Sequence, residues 1–169
     1  ENAARNVDHG WSVPLVQHLL EAVLAAYPDR QVSLVGFSLG VTTVRDALRR
    51  IHAAGAVTLW PRLDDVVLLA GANHGVSSFA RLCGKNPTMR GQVACQMGNR
   101  DGYSPTDFSL SLSGDDGAYE TPCGDGQTAF GDDACGGHTV HYTTVVMRDI
   151  ANGSYQDEFV SEASAALTG

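Results

Sequence analysis

The pentapeptide Gly36-Phe37-Ser38-Leu39-Gly40 holds a serine with a glycine two residues to either side. A hydroxyl in such a turn is a candidate nucleophile for acyl transfer, provided a strand leads in and a helix leads out. Both conditions are legible. Residues 32–35 form a short apolar run with valine at each end, and Val41, Val44, Ala47, Leu48 and Ile51 then recur at helical spacing over about residues 39–52. A sharp strand-to-helix turn projects the serine Oγ from the carboxyl end of a sheet. Side chains at positions 36 and 40 are expected to collide in that turn, and glycine removes them. A helix N-terminus favours negative charge nearby, so the Leu39 N–H is the candidate donor to an oxyanion forming on a substrate carbonyl. The side chains of Phe37 and Leu39 are expected to pack rather than touch substrate.

A nucleophilic serine needs a general base, and the base needs an orienting carboxylate. Two acids follow the last strand-like run, residues 140–147. Asp149 is the nearer. Asp157 opens Asp157-Glu158-Phe159-Val160, ahead of an alanine-rich helical stretch at 159–167 that it could alternatively cap. The chain has six histidines, and none follows Asp157. His9, His18 and His52 lie on or beside helical stretches. His74 follows a strand. His138 and His141 flank the start of a strand, the wrong end for a site built on carboxyl ends.

The positioning elements read as follows. Ser12 can cap a helix whose first turn accepts Pro14, with Leu15, Val16, Leu19, Leu20, Val23 and Leu24 at helical spacing. Pro28 ends it. After the Ser38 helix, Gly55 is a plausible stop and Trp60-Pro61-Arg62 a connection. Val66-Val67-Leu68-Leu69-Ala70 is apolar without alternation, which predicts a strand buried on both faces in a parallel sheet. Gly71-Ala72-Asn73-His74-Gly75 breaks it. Residues 76–138 show little periodicity and many Gly, Ser and Asp, as a functional cap or lid would. Asn152-Gly153 marks a turn. Alternation of helix and strand implies a parallel sheet with right-handed crossovers.

Composition narrows the classes. The 169 residues suit one domain, and 43% hydrophobic residues can fill its core. No apolar run is long enough to span a membrane. Net charge is −8, and residues 101–137 hold eight of the 19 acids and none of the 11 Lys and Arg residues. Such a balance argues against nucleic acid, whose phosphates need cations. Asp115, Asp116, Asp125, Asp132 and Asp133 are oxygen donors of the kind Ca2+ prefers, but their spacing matches no EF-hand loop, so no cofactor or metal is expected. Cys83, Cys95, Cys123 and Cys135 lack the C-x-x-C spacing of zinc sites. Four cysteines in loop-rich sequence read as disulfides and an oxidising compartment. Of the three connectivities, Cys83–Cys95 with Cys123–Cys135 closes the shortest loops.

The stretch from Val32 to Gly40 resembles the lipase box of bacterial α/β-hydrolase lipases. Leu68-Leu69-Ala70-Gly71-Ala72-Asn73-His74-Gly75 is similar to the strand and His-Gly turn that follow in those lipases. Extracellular polyhydroxyalkanoate depolymerases with a lipase-type core are also similar. The resemblance covers about residues 12–75 and 140–169. It implies an α/β fold, an α/β-hydrolase-type parallel sheet flanked by helices, incomplete, with core at 1–75 and 139–169 and a loop-rich cap insert at 76–138. It also implies a secreted carboxylic ester hydrolase acting on a lipid or polyester. Asp157-Glu158-Phe159-Val160 is similar to the D-x-x-V that carries the triad acid, so the resemblance assigns Ser38 as nucleophile and Asp157 as acid. The family's histidine, its strands before the box and its second oxyanion donor have no counterpart in this sequence. An interior piece of a longer hydrolase domain is therefore expected, with little turnover by itself. The rival readings are a non-catalytic fragment or binding module, and a serine peptidase or amidase on the same fold.

Overall fold

The computed structural model describes residues 12–54, 59–76, 78–79, 97, 133–135, 138–149, 151 and 159–167. Helix α1 (Val13–Ala26) leads to strand β1 (Val32–Phe37), and helix α2 (Leu39–Ala53) leads through a 3-10 turn (Trp60–Arg62) to strand β2 (Leu63–Leu69). Strands β3 (Asp133–Cys135) and β4 (His138–Val145) and the short helix α3 (Glu162–Ala165) follow. Pro14 sits in the first turn of α1, where its missing N–H costs nothing. Ser12 precedes that helix without a capping side-chain hydrogen bond. Its C-terminal end is closed from elsewhere. The Arg62 guanidinium donates to the carbonyls of Leu24 and Arg30, each at 3.0 Å, and to that of Tyr27. The connection at residues 60–62 is thus also a clamp on carbonyls at and just beyond the end of α1.

The sheet order is β1-β2-β4-β3. β1, β2 and β4 are parallel, with Phe37 beside Leu69 and Leu69 beside Val145, so their carboxyl ends coincide. β3 runs antiparallel to β4, with Cys135 opposite His138. The sequence reading missed β3. Asp-Ala-Cys has no strand preference of its own, and pairing with β4 supplies the missing stabilisation. β4 also begins two residues before the expected Val140, within the stretch assigned to the insert.

The main core lies between the helices and one face of the sheet. Val41, Val44, Leu48 and Ile51 of α2 meet Val66 and Leu68 of β2, Val140 and Tyr142 of β4, and Leu20 of α1. α1 contributes less than its apolar pattern promised, for Leu15 and Leu19 point to solvent. The opposite face differs from expectation as well. Val35 is 64% exposed and Phe37 62% exposed, while Val67 and Leu69 are half-buried. The reason is topological. The β1–α2–β2 crossover covers one face, and α1 and Leu167 pack into the same core. An apolar strand sequence specifies compatibility with burial, and the placement of the helices decides which face receives it.

The C-terminal stretch also departs from the helix expected over 159–167. Only Glu162–Ala165 is helical, capped by the Ser161 Oγ, which accepts from Ser164 N at 3.2 Å. Ala166 is extended. Val160 and Ala165 enter a small cluster with Val76, whereas Leu167 reaches the main core.

Candidate active site

β1 ends at Phe37, and the chain reverses into α2 at Ser38. The Ser38 backbone has φ 53° and ψ −123°, a conformation that glycine adopts freely and an L-residue adopts only under strain. Two hydrogen bonds hold it there. Ser38 N donates to Leu69 O of the neighbouring strand at 3.0 Å, and Val41 N donates to Ser38 O at 3.1 Å. The side chain is exposed at the carboxyl end of the sheet. Leu39 is the first residue of α2, so helix geometry gives its N–H no acceptor. The Leu39 carbonyl accepts from Thr42 Oγ1 at 3.0 Å and Thr43 Oγ1 at 3.1 Å, which tightens the first turn.

The two glycines of the pentapeptide are not equivalent. A Cβ on Gly36 would stand 2.9 Å from Val41 Cα and 3.0 Å from the Gly40 carbonyl oxygen, both backbone atoms with nowhere to move. A Cβ on Gly40 meets nothing within 4 Å. The expected collision therefore exists on the strand side alone, because the helix turns position 40 away from β1. Gly36→Ala should cost about 1–3 kcal/mol, whereas Gly40→Ala should be neutral or gain up to about 1 kcal/mol of helix propensity. Urea melts of both variants measure the contrast; equal losses would contradict it.

Phe37 and Leu39 were expected to pack, and both are exposed, Leu39 by 39%. Phe37 lies on the sheet face opposite α2 by the period of two, and Leu39 begins a helix whose buried face starts at Val41. Ser38 thus has an exposed apolar residue on either side of it in the chain.

A second strained residue stands beside the first. Ala70 has φ 50° and donates its N–H to Val145 O at 2.9 Å, just past the end of β2. The turn it opens, with Asn73 and His74, lies at the same end of the sheet as Ser38. Asn73 and His74 are buried, and Asn73 bonds to Arg45 of α2 and to Ala165. The sequence reading passed over Arg45 and Asn73, because a lone arginine in a helix and an asparagine in a turn read as surface residues.

Of the two acid candidates, Asp149 follows β4 at this same end and is half-buried. Asp157 lies outside the described residues. The described chain resumes at Phe159. Phe159 packs against Phe79 with ring centroids 6.2 Å apart, and Val160 is buried beside Val76 and near Val146. The histidines fall elsewhere. His18 pairs with Glu21 on exposed α1, and His52 stacks edge-on against Trp60. The His138 ring shares a 2.7 Å hydrogen bond with Leu63 O, at the start of β2 and β4, and His141 sits beside Asp65 in mid-sheet. His74 is at the right end but buried, and His9 lies outside the described residues.

The cysteine pairs Cys83–Cys95 and Cys123–Cys135, and most of the acidic insert, also lie outside the described side chains. Among the described residues no group of three or more His, Cys, Asp or Glu could hold a metal ion. Among them, too, no helix is long and apolar enough to cross a membrane.

No family model and no curated protein matches the chain. A solved structure does: phospholipase PlaB from Legionella pneumophila, in complex with thio-NAD, is similar with a TM-score of 0.55 and 16% identity. The match covers 92% of this chain and 32% of that one, so the chain spans about a third of the length of its structural neighbour. Identity that low speaks to fold alone. The parallel strands, the strand-to-helix turn at Ser38 and this likeness together give the chain a partial α/β fold of the hydrolase type.

Proposed function

We propose that the chain carries the nucleophile of a serine carboxylic ester hydrolase acting on lipid or polyester esters. The observation that carries this reading is the Ser38 backbone, held at φ 53° with its side chain exposed, between a parallel strand and a helix N-terminus. Strain is kept where a function needs it. In the proposed reaction Ser38 Oγ attacks the acyl carbonyl carbon as its proton passes to a histidine. The Leu39 N–H donates to the oxyanion, and the alkoxide leaves with the proton from the histidine. Water then adds to the acyl-enzyme, and the carboxylic acid and Ser38 hydroxyl are released. Asp157 orients the histidine. The exposed Phe37 and Leu39 beside the hydroxyl suit an apolar acyl group better than a peptide.

A fluorophosphonate probe tests the assignment, with the labelled peptide identified by mass. Labelling is expected at Ser38, and p-nitrophenyl ester turnover is expected in a longer polypeptide that includes the base and to be weak or absent in this chain. Labelling of an active protein at another residue would overturn the reading. Short-chain and long-chain esters with a peptide control separate a lipase from a peptidase or amidase. Turnover absent from every longer polypeptide would favour a binding module.

The proposed site of action is extracellular, with Cys83–Cys95 and Cys123–Cys135 oxidised. Each such clip is worth about 3 kcal/mol in the chain-entropy model. Under denaturing conditions, alkylation without reductant should add no mass; four alkyl groups would refute both the pairs and the compartment.

A further inference from the structure

Two segments meet beside the Ser38 turn through buried polar bonds that the reaction above does not use. Arg45 projects from α2, two turns beyond Ser38, and is buried. Its Nη1 donates to the Asn73 carbonyl at 2.9 Å and to Asn73 Oδ1 at 3.2 Å. Asn73 has no exposed surface, and its Nδ2 donates onward to Ala165 O at 2.7 Å. His74 N donates to Ser164 O at 3.0 Å, and the buried Ser164 Oγ donates to Gly75 O.

The chain of bonds therefore runs from the helix that Ser38 opens, through the turn after β2, to the residues that follow Asp157. A merely adhesive contact between these segments could be apolar, as the Val76, Val160 and Ala165 cluster beside it is. Directed hydrogen bonds add something that apolar packing lacks, because they fix distance and orientation together. A misplacement of about 1 Å at a reacting centre costs on the order of 100-fold in rate.

We propose that Arg45, Asn73 and Ser164 form a positioning latch, which holds residues 159–167, the stretch that follows Asp157 in the chain, in register with the Ser38 helix. The latch rests on the hydrolase reading given above. Arg45 sets the Asn73 side chain with its amide NH2 toward Ala165, and Ser164 adds a second tie at Gly75. The Ser38 helix and residues 159–167 then keep one relative position while substrate binds and leaves. None of the three touches substrate.

The test uses the full-length polypeptide, with active sites counted by fluorophosphonate titration and turnover expressed per titrated site. Asn73→Asp keeps the acceptor for Arg45 and removes the donor to Ala165. Ser164→Ala removes the tie to Gly75 and leaves Asn73 in place. Both variants should titrate to the wild-type number of sites, with KM within about twofold and kcat per site lower by about tenfold or more. A fall in titrated sites with unchanged kcat per site, wild-type turnover in both variants, or failure of both to fold would each overturn the latch. No labelling of Ser38 in the unmodified protein would instead remove the hydrolase reading on which it stands.

Discussion

Replacing Ser38 by alanine should remove fluorophosphonate labelling and lower ester turnover by at least about 10⁴-fold, because a nucleophile has no substitute within its own turn. The stability of that variant should barely change, since the hydroxyl is exposed and caps nothing. Ser38→Gly makes the sharper comparison. It abolishes the same chemistry, yet it relieves a backbone at φ 53°. Strain of that kind costs about 1–3 kcal/mol, and the extra freedom of glycine in the unfolded chain returns about 0.5–1 kcal/mol of it. Ser38→Gly should therefore be more stable than Ser38→Ala by about 0.5–2 kcal/mol in paired urea melts. A glycine variant less stable than the alanine one would show that the turn is not strained. This measurement needs no activity, so it holds for the chain by itself.

A large loss of stability should come from replacing Gly71. A Cβ there would overlap Val41 Cβ and both of its methyls, and Val41 is fully buried at the start of α2. A side-chain collision normally relaxes by rotation, but Val41 is β-branched and packed on all sides, so helix and turn must part. Gly71→Ala should cost about 1–3 kcal/mol, or about 2–12 °C in Tm for a domain of this size. Val41→Ala opens the space that the new methyl would enter. The double variant should thus be more stable than the sum of the two losses predicts. Strict additivity would show that the two positions do not share that space. The same close approach brings the Ala70–Gly75 turn against the first turn of the Ser38 helix, so Gly71 serves the site as well as the core.

Much of the fold was legible because its signals are local. The helical spacing of Val41, Val44, Leu48 and Ile51 is a property of one element, and α2 buries those residues. Pro14 and Pro28 bounded α1 by restricting the backbone directly. The Gly-x-Ser-x-Gly spacing marked the turn because a tight reversal admits few side chains. β3 escaped notice, since a three-residue strand owes its existence to its partner. The helix expected over 159–167 was too long for a related reason: alanine content reports local preference, while Val160 and Leu167 pack into two separate clusters of the fold.

The candidate site divides in the same way. The sequence by itself determined that a serine stands in a turn between strand and helix, with an acid some way behind it. The tertiary structure decided that Gly36 and not Gly40 is sterically required, and that Phe37 and Leu39 face outward beside the hydroxyl. It also joined Arg45, Asn73 and Ala165, which are 28 and 92 residues apart in the chain, through one buried amide. Spacing can report what a residue does to its own backbone. Which side chains satisfy one another inside the fold depends on how distant segments dock, and that geometry exists only once the sheet has formed.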